Sequence, residues 1–496
     1  MALMFDHLQN ETIAAISTAS AESGIGIIRI SGPDAGCVTE KVFRNRKGGC
    51  FHIAVSWKPN TIHHGYITDP DTGEILDEVL VSWMKAPHSY TTEDTAEINT
   101  HGGPLVMQRV LDAVLRSGAR PAEPGEFTKR AFLGGRIDLS EAEAVMKLIH
   151  ARSEFGRKSA VAQLGGAVSE VIRQLRDTIL HEIAFIEAAL DDPDNYSLDG
   201  YPEKLNSICL ELLDRINEIL RRSEEGELLD EGIRTVIAGR PNVGKSSLMN
   251  LLAGNDKAIV TDIPGTTRDI LESNVCLKYN KTEIRLHLMD TAGIHQTQDM
   301  IEHIGVDRAV QALEQAQLIL FVLDGSEALQ EEDREIACRI REVLPSGARC
   351  IVLVNKCDVR PEISGHEIDD QKIREMFAKP DLLRAEHEIL PDGIIRISCH
   401  TAEGLDALRG WISELFHVGD LAYSEELLLV NERQRHELSS AAESLSLVCS
   451  GIRDGVSEDF YSIDLMNAYS ALGRIIGESV EDDLVDKIFS EFCLGK

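Results

Sequence analysis

Basic residues are scarce in this chain: 50 Lys and Arg stand against 83 Asp and Glu over 496 residues, a formal net charge of −33. A protein that grips a phosphate backbone unaided shows a basic footprint. A nucleic-acid substrate would therefore need a partner, or a local patch, to supply much of the phosphate binding. The same acidity also serves plain solubility. No apolar run is long enough to span a bilayer. The N-terminus, MALMFDHLQNET, lacks the basic and apolar regions of a signal peptide. The ten cysteines show no CxxC or Cys/His ligand spacing, as expected of free thiols in a reducing cytoplasm. The length favours two or three domains over one core.

Against these absences stands an ordered series of motifs. Gly239-Arg-Pro-Asn-Val-Gly244-Lys245-Ser246 comes first, then Asp290-Thr-Ala-Gly293, then Asn355-Lys-Cys-Asp358. In the first, small glycines let successive backbone N–H groups turn toward a β-phosphate. Lys245 adds positive charge, and the Ser246 hydroxyl can take a Mg²⁺. Asp290 follows the apolar strand Ile284–Met289 and is expected to reach the same ion through water. Asn355 and Asp358 are expected to read the base. A carboxylate at Asp358 accepts from the N1–H and N2–H₂ of guanine, and adenine offers neither donor in that geometry. A lone glycine-rich loop is hard to tell from a structural turn. Three such elements in order, each after an apolar run, imply binding and hydrolysis of GTP. The expected nucleotide-binding set is Asn242, Val243, Gly244, Lys245, Ser246 and Ser247, then Asp290, Thr291, Ala292 and Gly293, then Asn355, Lys356 and Asp358.

Three regions differ in pattern. Residues 1–137 read as a mixed α+β domain, with a strand at Ile25–Ile30 and a hairpin joining His64–Thr68 to Glu74–Met84 across Asp69-Pro-Asp-Thr-Gly73. Residues 138–230 read as helical. Ser140-Glu-Ala-Glu143 suggests a capping box. Val168, Val171, Leu175, Ile179, Ile183, Ile186 and Leu190 form one apolar stripe, and Leu205, Ile208, Leu212, Ile216 and Ile219 another, separated by the loop Asp191–Pro202. Residues 231–420 alternate strands (Thr235–Ala238, Ile284–Met289, Leu318–Leu323, Cys350–Val354 and Ile394–Ile397) with amphipathic helices, the pattern of a P-loop α/β domain. Residues 421–496 return to helix, with Leu438, Ala441, Leu445 and Val448 at helical spacing. The expected fold is thus α/β plus α, with a Ras-like G domain inserted into one discontinuous helical domain. Two separate small bundles would give the same periodicity.

Hydrolysis needs a group that orients water, and the residue after Asp-Thr-Ala-Gly is Ile294, which cannot hydrogen-bond. Glu302 is the nearest acidic candidate on a helix start, although a solvated surface carboxylate would look the same. Asn242 could join backbone carbonyls of Thr261–Thr266 in caging a monovalent cation, which would offset transition-state charge. It could equally hydrogen-bond within its own loop. Thr266 and Thr267 are the switch threonines, one of which is expected on Mg²⁺ when the γ-phosphate is present.

Further landmarks are Gly24-Ile-Gly-Ile-Ile-Arg-Ile-Ser-Gly32, Glu97 with His101-Gly-Gly103, Pro124-Gly-Glu-Phe127, Arg130-Ala-Phe132 leading to Arg136, and the terminal Phe492-Cys-Leu-Gly-Lys496. With the G motifs, these give a chain that over essentially its whole length resembles the MnmE (TrmE) family of tRNA-modification GTPases. The resemblance implies a homodimer paired through N-terminal domains that bind a tetrahydrofolate one-carbon donor (5-formyl or methylene). It implies a K⁺-dependent GTPase whose G domains meet across the dimer. With a flavin- and NADH-using partner, MnmG (GidA), such proteins add an aminomethyl-type group at carbon five of the wobble uridine of certain tRNAs. Carried over, Arg29, Glu97, Arg136 and Lys496 match folate-contacting positions. Asn242, Thr261, Ile263 and Thr266 match K⁺ ligands, Ser246 and Thr267 match Mg²⁺ ligands, and Glu302 matches the water-orienting acid. The resemblance ties Cys493 to the modification reaction, in a nucleophilic or a structural role.

Three stretches depart from the family pattern. Ser398-Cys399-His400 stands where Ser-Ala-Lys or Ser-Ala-Arg is usual, so base contacts there are expected from the backbone. His295 replaces a frequent Arg, and Ser17–Ser23 lacks the usual Pro- and Gly-rich look. A ribosome-assembly GTPase is a weaker alternative, since only one GKS element and no basic module is found. A folate-sensing regulator without chemistry of its own is another, set apart by whether a tRNA product forms.

Overall fold

The structure, a computed structural model, describes residues 11–19, 21–45, 53–151, 153–192, 194–196, 199–255, 273–279, 282–289, 312–359, 368–378, 390–416, 430–478, 482–490, 492 and 495. The chain separates into two compact units. One comprises Met1–His150, Ala160–Asn217 and Val430–Lys496, the other Ala151–Ser159 and Glu218–Leu429. The second unit is therefore inserted between segments of the first.

The first unit begins with β1 (Ile13–Ile16), β2 (Ser23–Ser31), α1 (Ala35–Val42), β3 (Phe43–Arg44), α2 (Ile53–Ser56) and β4 (Thr61–Thr68). It continues with β5 (Ile75–Met84), β6 (Thr95–Gly102), α3 (Pro104–Arg116), β7 (Arg120–Pro121) and α4 (Glu126–Leu133). Seven strands form one sheet in the order β3-β4-β5-β6-β2-β1-β7. The hairpin expected across Asp69–Gly73 is present, with β4 antiparallel to β5. Alternation along β2 decides what each face carries. Ile28 and Ile30 are fully buried, packed with Val81, Ile98, Val38 and Val110. Arg29 between them therefore points to the other face, opposite Glu97 on β6.

Helices complete this unit: α5 (Leu139–His150), α6 (Glu154–Leu164), α7 (Ala167–Asp191) and α8 (Tyr201–Glu231), with α6 and α8 shared in part with the other unit's segments. After the insertion come α13 (Glu432–Asp454), α14 (Glu458–Ile476) and α15 (Asp482–Ser490), numbered to follow the helices of the inserted unit. Leu438, Ala441, Leu445 and Val448 of α13 are all fully buried, as their spacing requires. Three details differ from the sequence expectation. On α7, Ile172 and Ala189 are buried while Leu190 is 45% exposed. On α8, Cys209 is fully buried and Ile208 only half-buried. A rotation of roughly 100° per residue makes adjacent positions compete for the core edge, and the packing partner chooses between them.

The third difference is the start of α5. The capping box is Asp138–Glu141: the Asp138 N–H donates to Glu141 Oε2 (2.8 Å) and the Glu141 N–H to Asp138 Oδ1 (3.0 Å). The same three-residue spacing fits this pair two positions before Ser140 and Glu143. Ser140 instead meets Ser169 at 3.2 Å. Glu143 accepts from Arg433 Nε (2.7 Å), Arg433 Nη2 (3.0 Å) and Gln434 Nε2 (2.7 Å). Arg433 also donates to the carbonyls of Arg474 and Ile475, tying α5, α13 and the end of α14 together.

The inserted unit holds β8 (Ile233–Ala238), α9 (Lys245–Asn255), β9 (Ser273–Tyr279), β10 (Thr282–Met289), β11 (Leu318–Asp324) and α10 (Glu331–Val343). It continues with β12 (Arg349–Asn355), α11 (Asp370–Phe377), β13 (Gly393–Arg396) and α12 (Leu405–Leu415). The sheet order is β13-β12-β11-β8-β10-β9, parallel except for the antiparallel edge β9. Its central strands are apolar on both faces. Leu318, Leu320 and Val322 enter one core, and Ile319, Phe321 and Leu323 the other. The five strands expected from the sequence are all present. The sixth, β9, is additional to them, although the spacing of its buried Val275 and Leu277 marks a half-buried strand.

Removing Glu143 would leave the Arg433 guanidinium largely buried without its carboxylate. Glu143→Ala should cost about 3 kcal/mol, seen as a lower urea midpoint of the unit that contains α5. An unchanged midpoint would mean that the charge cluster is not holding these helices.

Candidate functional site

In a parallel α/β sheet, ligands bind outside the carboxyl ends of the strands. Here β8, β11, β12 and β13 all end at one edge, and each brings a residue of the site there. β8 runs into the phosphate loop, residues 239–244, which opens α9 at Lys245. Its turns need unusual backbone: Gly239 has φ +148°, Asn242 +63° and Gly244 +106°. A β-carbon at Gly239 would meet the Val322 carbonyl at 2.5 Å, and one at Gly244 would meet Asn355 Nδ2 at 2.2 Å. Both positions require glycine. Val243 is the fully buried residue of the loop, while Ser246 and Ser247 are exposed at the start of α9, where free N–H groups and the helix dipole favour anions. Lys245 Nζ donates to the carbonyls of Gly239 (2.5 Å) and Arg240 (2.9 Å), arching over the loop. Burial lowers its pKa.

The second loop follows β12. Asn355 is 2% exposed and uses both ends of its amide. Nδ2 donates to the Val243 carbonyl at 2.8 Å, and Oδ1 accepts from the Cys399 N–H at 3.1 Å. It thereby joins the phosphate loop, the Asn355–Asp358 loop and the loop after β13. Lys356, at φ +65°, donates to Asp324 Oδ2 at 2.5 Å from the end of the neighbouring β11. Burial would raise the Asp324 carboxyl, but hydrogen bonds from Lys356 and Ser326 outweigh it and hold the pKa down. The sequence offers no sign of this role for Asp324.

Asp358 is exposed at the mouth of the site, and a hydrogen bond from Ser398 is the leading cause holding its pKa down, with His400 adding a smaller effect. Ser398 is fully buried, and its Oγ accepts from the N–H groups of His400 (3.3 Å) and Thr401 (3.2 Å). Cys399 is half-buried, and burial pushes its thiol up to about 11. Burial therefore keeps the Cys399 thiol protonated beside the base loop.

Thr261, Ile263, Thr266, Thr267, Asp290, Thr291, Ala292, Gly293, Ile294, His295 and Glu302 lie outside the described residues, as do Cys493 and Lys496. Asn242, Val243, Gly244, Lys245, Ser246, Ser247, Asn355, Lys356, Asp358, Ser398, Cys399 and His400 are brought to the one sheet edge.

A separate cluster lies on the N-terminal sheet. Arg29 Nε donates to Glu97 Oε1 at 2.9 Å across β2 and β6. The Arg29 guanidinium lies 5.4 Å from the Tyr90 ring centroid and 5.5 Å from that of Phe127. Arg136 lies 4.9 Å from the same Tyr90 ring and donates to the Tyr90 carbonyl at 3.0 Å. Arg29 Nη1 is buried and has no hydrogen-bond partner among the described residues. Arg29, Glu97 and Arg136 therefore meet at one place. Tyr90 sits among them without any motif in the sequence to announce it.

A P-loop whose Lys bridges its own carbonyls, coupled through a buried Asn to a base loop with an ionised Asp, defines a guanine-nucleotide-binding G protein. Comparison with known proteins narrows the class. The family model described as the MnmE helical domain matches residues 139–493, and that of the GTP-binding protein TrmE N-terminus matches residues 12–136. A "tRNA modification GTPase MnmE" of Lachnoclostridium phytofermentans is 44% identical over 99% of this chain and 100% of its own length. Proteins of the same description from Desulforamulus reducens (40%; 98% and 100% covered) and Bacillus velezensis (42%; 98% and 100% covered) are similar over the same span. The chain belongs to the MnmE family of tRNA modification GTPases. Among the described residues no helix is long and apolar enough to cross a membrane.

Ser398→Ala removes the main hydrogen bond that keeps Asp358 ionised at low pH. On acidification, binding of a fluorescent GDP should fall at higher pH in this variant than in the wild type, because protonated Asp358 no longer accepts from guanine. Coincident acid limbs would remove Asp358 from base reading.

Proposed function

We propose that this chain hydrolyses GTP and that the cycle of its G domain gates a modification of tRNA. The observation that carries this is the Asn355 bridge, which couples the phosphate loop to the loops that would read guanine. In this scheme Asn242, Val243, Gly244, Lys245, Ser246 and Ser247 hold the phosphates. Asn355, Lys356, Asp358, Ser398, Cys399 and His400 hold the base, with Asp290, Thr291, Ala292 and Gly293 sensing the γ-phosphate. Ser246 and Thr267 would hold Mg²⁺, whose chemistry is to neutralise developing phosphate charge. Ser246, exposed at the helix start, is open to such an ion.

Asn242, Thr261, Ile263 and Thr266 would hold K⁺. The left-handed backbone at Asn242 is compatible with this, since Asn tolerates φ near +63° better than most residues. Glu302 orients the attacking water, a task that Ile294 cannot perform.

The N-terminal cluster suits a reduced folate. A pterin ring offers amino and ring N–H donors to a carboxylate such as Glu97, and a carbonyl oxygen to an arginine. The unpartnered Arg29 Nη1 is a buried donor of that kind. Arg136 adds a second cation, and Lys496 would add a third. The chain terminus is consistent with this. A β-carbon at Gly495 would meet the Ile16 carbonyl at 2.3 Å, and Phe492 packs against Phe489 beside Gly125. Gly495 is thus close to β1; in this scheme the Cys493 thiol acts near the one-carbon unit.

The folate-bearing units pair as a homodimer. With a flavin-dependent partner of the MnmG (GidA) type, the assembly adds an aminomethyl or carboxymethylaminomethyl group at carbon five of the wobble uridine. The net charge of −33 fits a division of labour in which the partner holds much of the tRNA backbone. The proposed setting is cytoplasmic.

GTP hydrolysis in matched K⁺ and Na⁺ buffers tests the cation scheme. Wild type should be stimulated by K⁺. Asn242→Gly, which keeps the left-handed turn without strain, should lose the difference between the two salts. Equal wild-type rates in both salts would remove K⁺ from the mechanism. Glu302→Ala should lower kcat by about 100-fold, the usual size of a positioned acid–base contribution, with GTP affinity retained. Loss of binding instead would make Glu302 structural.

A further inference from the structure

Tyr90 is tied to the N-terminal cluster from three directions. Its ring packs against the small core of Ile13, Ala15, Ala122 and Phe127. Its hydroxyl meets Thr128 Oγ1 of α4 at 2.9 Å. Its carbonyl accepts from Arg136 Nη1 at 3.0 Å. The one ring then lies within cation–π range of two guanidiniums, Arg29 at 5.4 Å and Arg136 at 4.9 Å.

These arginines start from very different supports. Arg29 rises from a central strand, pairs with Glu97 and has Phe127 as a second aromatic neighbour. Arg136 follows the turn at Gly134 and Gly135, and it is exposed. Among the described contacts, its guanidinium is fixed by Tyr90 through ring and carbonyl, with the Glu141 carboxylate near enough to attract it electrostatically. Two like charges brought to one site repel, and the Glu97 carboxylate pairs with only one of them. An electron-rich ring within reach of both offsets that repulsion and limits where Arg136 can point.

We propose that Tyr90 is the positioning residue of the reduced-folate site, its ring holding Arg136 beside Arg29 so that both donors converge on one ligand. The inference rests on the folate proposal above. It commits the ligand contact to Arg136, with Tyr90 acting through it. The hydroxyl is secondary, because the attraction belongs to the ring.

The test is the affinity of the full-length protein for 5-formyltetrahydrofolate, measured by calorimetry for wild type, Tyr90→Phe, Tyr90→Leu, Arg136→Ala and the Tyr90→Leu/Arg136→Ala double variant. GDP affinity and thermal midpoint serve as checks of folding. Tyr90→Leu should weaken binding about tenfold, the scale of a partly desolvated cation–π contact, and Tyr90→Phe should stay within about threefold of wild type. In the Tyr90→Leu background, Arg136→Ala should cost little more, since Arg136 has already lost its place. Wild-type binding with an undiminished Tyr90→Leu variant would overturn the role of Tyr90 alone. Additive losses from the two substitutions would do the same, as would equal losses in Phe and Leu variants with a lowered thermal midpoint. No binding by the wild type would overturn the folate proposal and this inference together.

Discussion

The nucleotide site depends on one buried amide. Asn355 lies at the end of β12 with both polar atoms engaged, Nδ2 on the Val243 carbonyl and Oδ1 on the Cys399 N–H. A buried amide left half-satisfied costs on the order of 1–3 kcal/mol, so the three loops it joins are held in register by a shared penalty. Gly244 makes the approach possible, because any β-carbon there would collide with Nδ2. The positive φ at Asn242 and Gly244 and the arch of Lys245 over the Gly239 carbonyl follow from the same compact turn. The parallel sheet provides the frame, ending four strands at one edge so that motifs far apart in the chain converge.

The N-terminal cluster works by a different balance. Its sheet has one face packed with Ile28, Ile30 and Ile98, which by alternation turns Arg29 and Glu97 to the other face as a cross-strand pair. Arg29 is then held by the Glu97 carboxylate and by the Tyr90 and Phe127 rings, and Arg136 by the Tyr90 ring and carbonyl. In the same unit a buried network supports α4: Arg130 pairs with both Glu93 and Glu126. Burial is the leading influence on both carboxyls. It prevails at Glu93, whose pKa is raised, whereas hydrogen bonding to Arg120 and the Glu123 N–H tips Glu126 the other way. The unit thus rests on paired charges but presents an arginine with an unspent donor, a suitable arrangement for an electron-rich heterocycle.

Much of this is legible in the chain. The phosphate loop and Asn355–Asp358 announce themselves because phosphate and guanine chemistry tolerate few residue types at fixed spacing, and the strands before them are continuous apolar runs. The stripe on α13 is legible for the same reason: four of its positions are fully buried at helical spacing. What escapes a reading of the sequence lacks a local signal. The capping box at Asp138–Glu141 and the apparent one at Ser140–Glu143 have identical spacing, and only the long-range contact of Glu143 with Arg433 separates them. Cys209 takes a core place that spacing gives equally to Ile208. Tyr90 acts through contacts contributed from β2, α4 and the turn after it, and no pattern of neighbours in sequence encodes that meeting.

The most direct measurement is equilibrium binding of GDP and ADP to wild type and Asn355→Ala. The wild type should bind GDP and discriminate strongly against ADP, because adenine presents Asp358 with no matching donors. The variant should stay folded, with its first-unit thermal transition intact, and lose GDP affinity by about 100-fold or more as the phosphate and base loops lose their shared anchor. Undiminished GDP binding by the variant, or equal binding of ADP by the wild type, would contradict the central role of the Asn355 bridge.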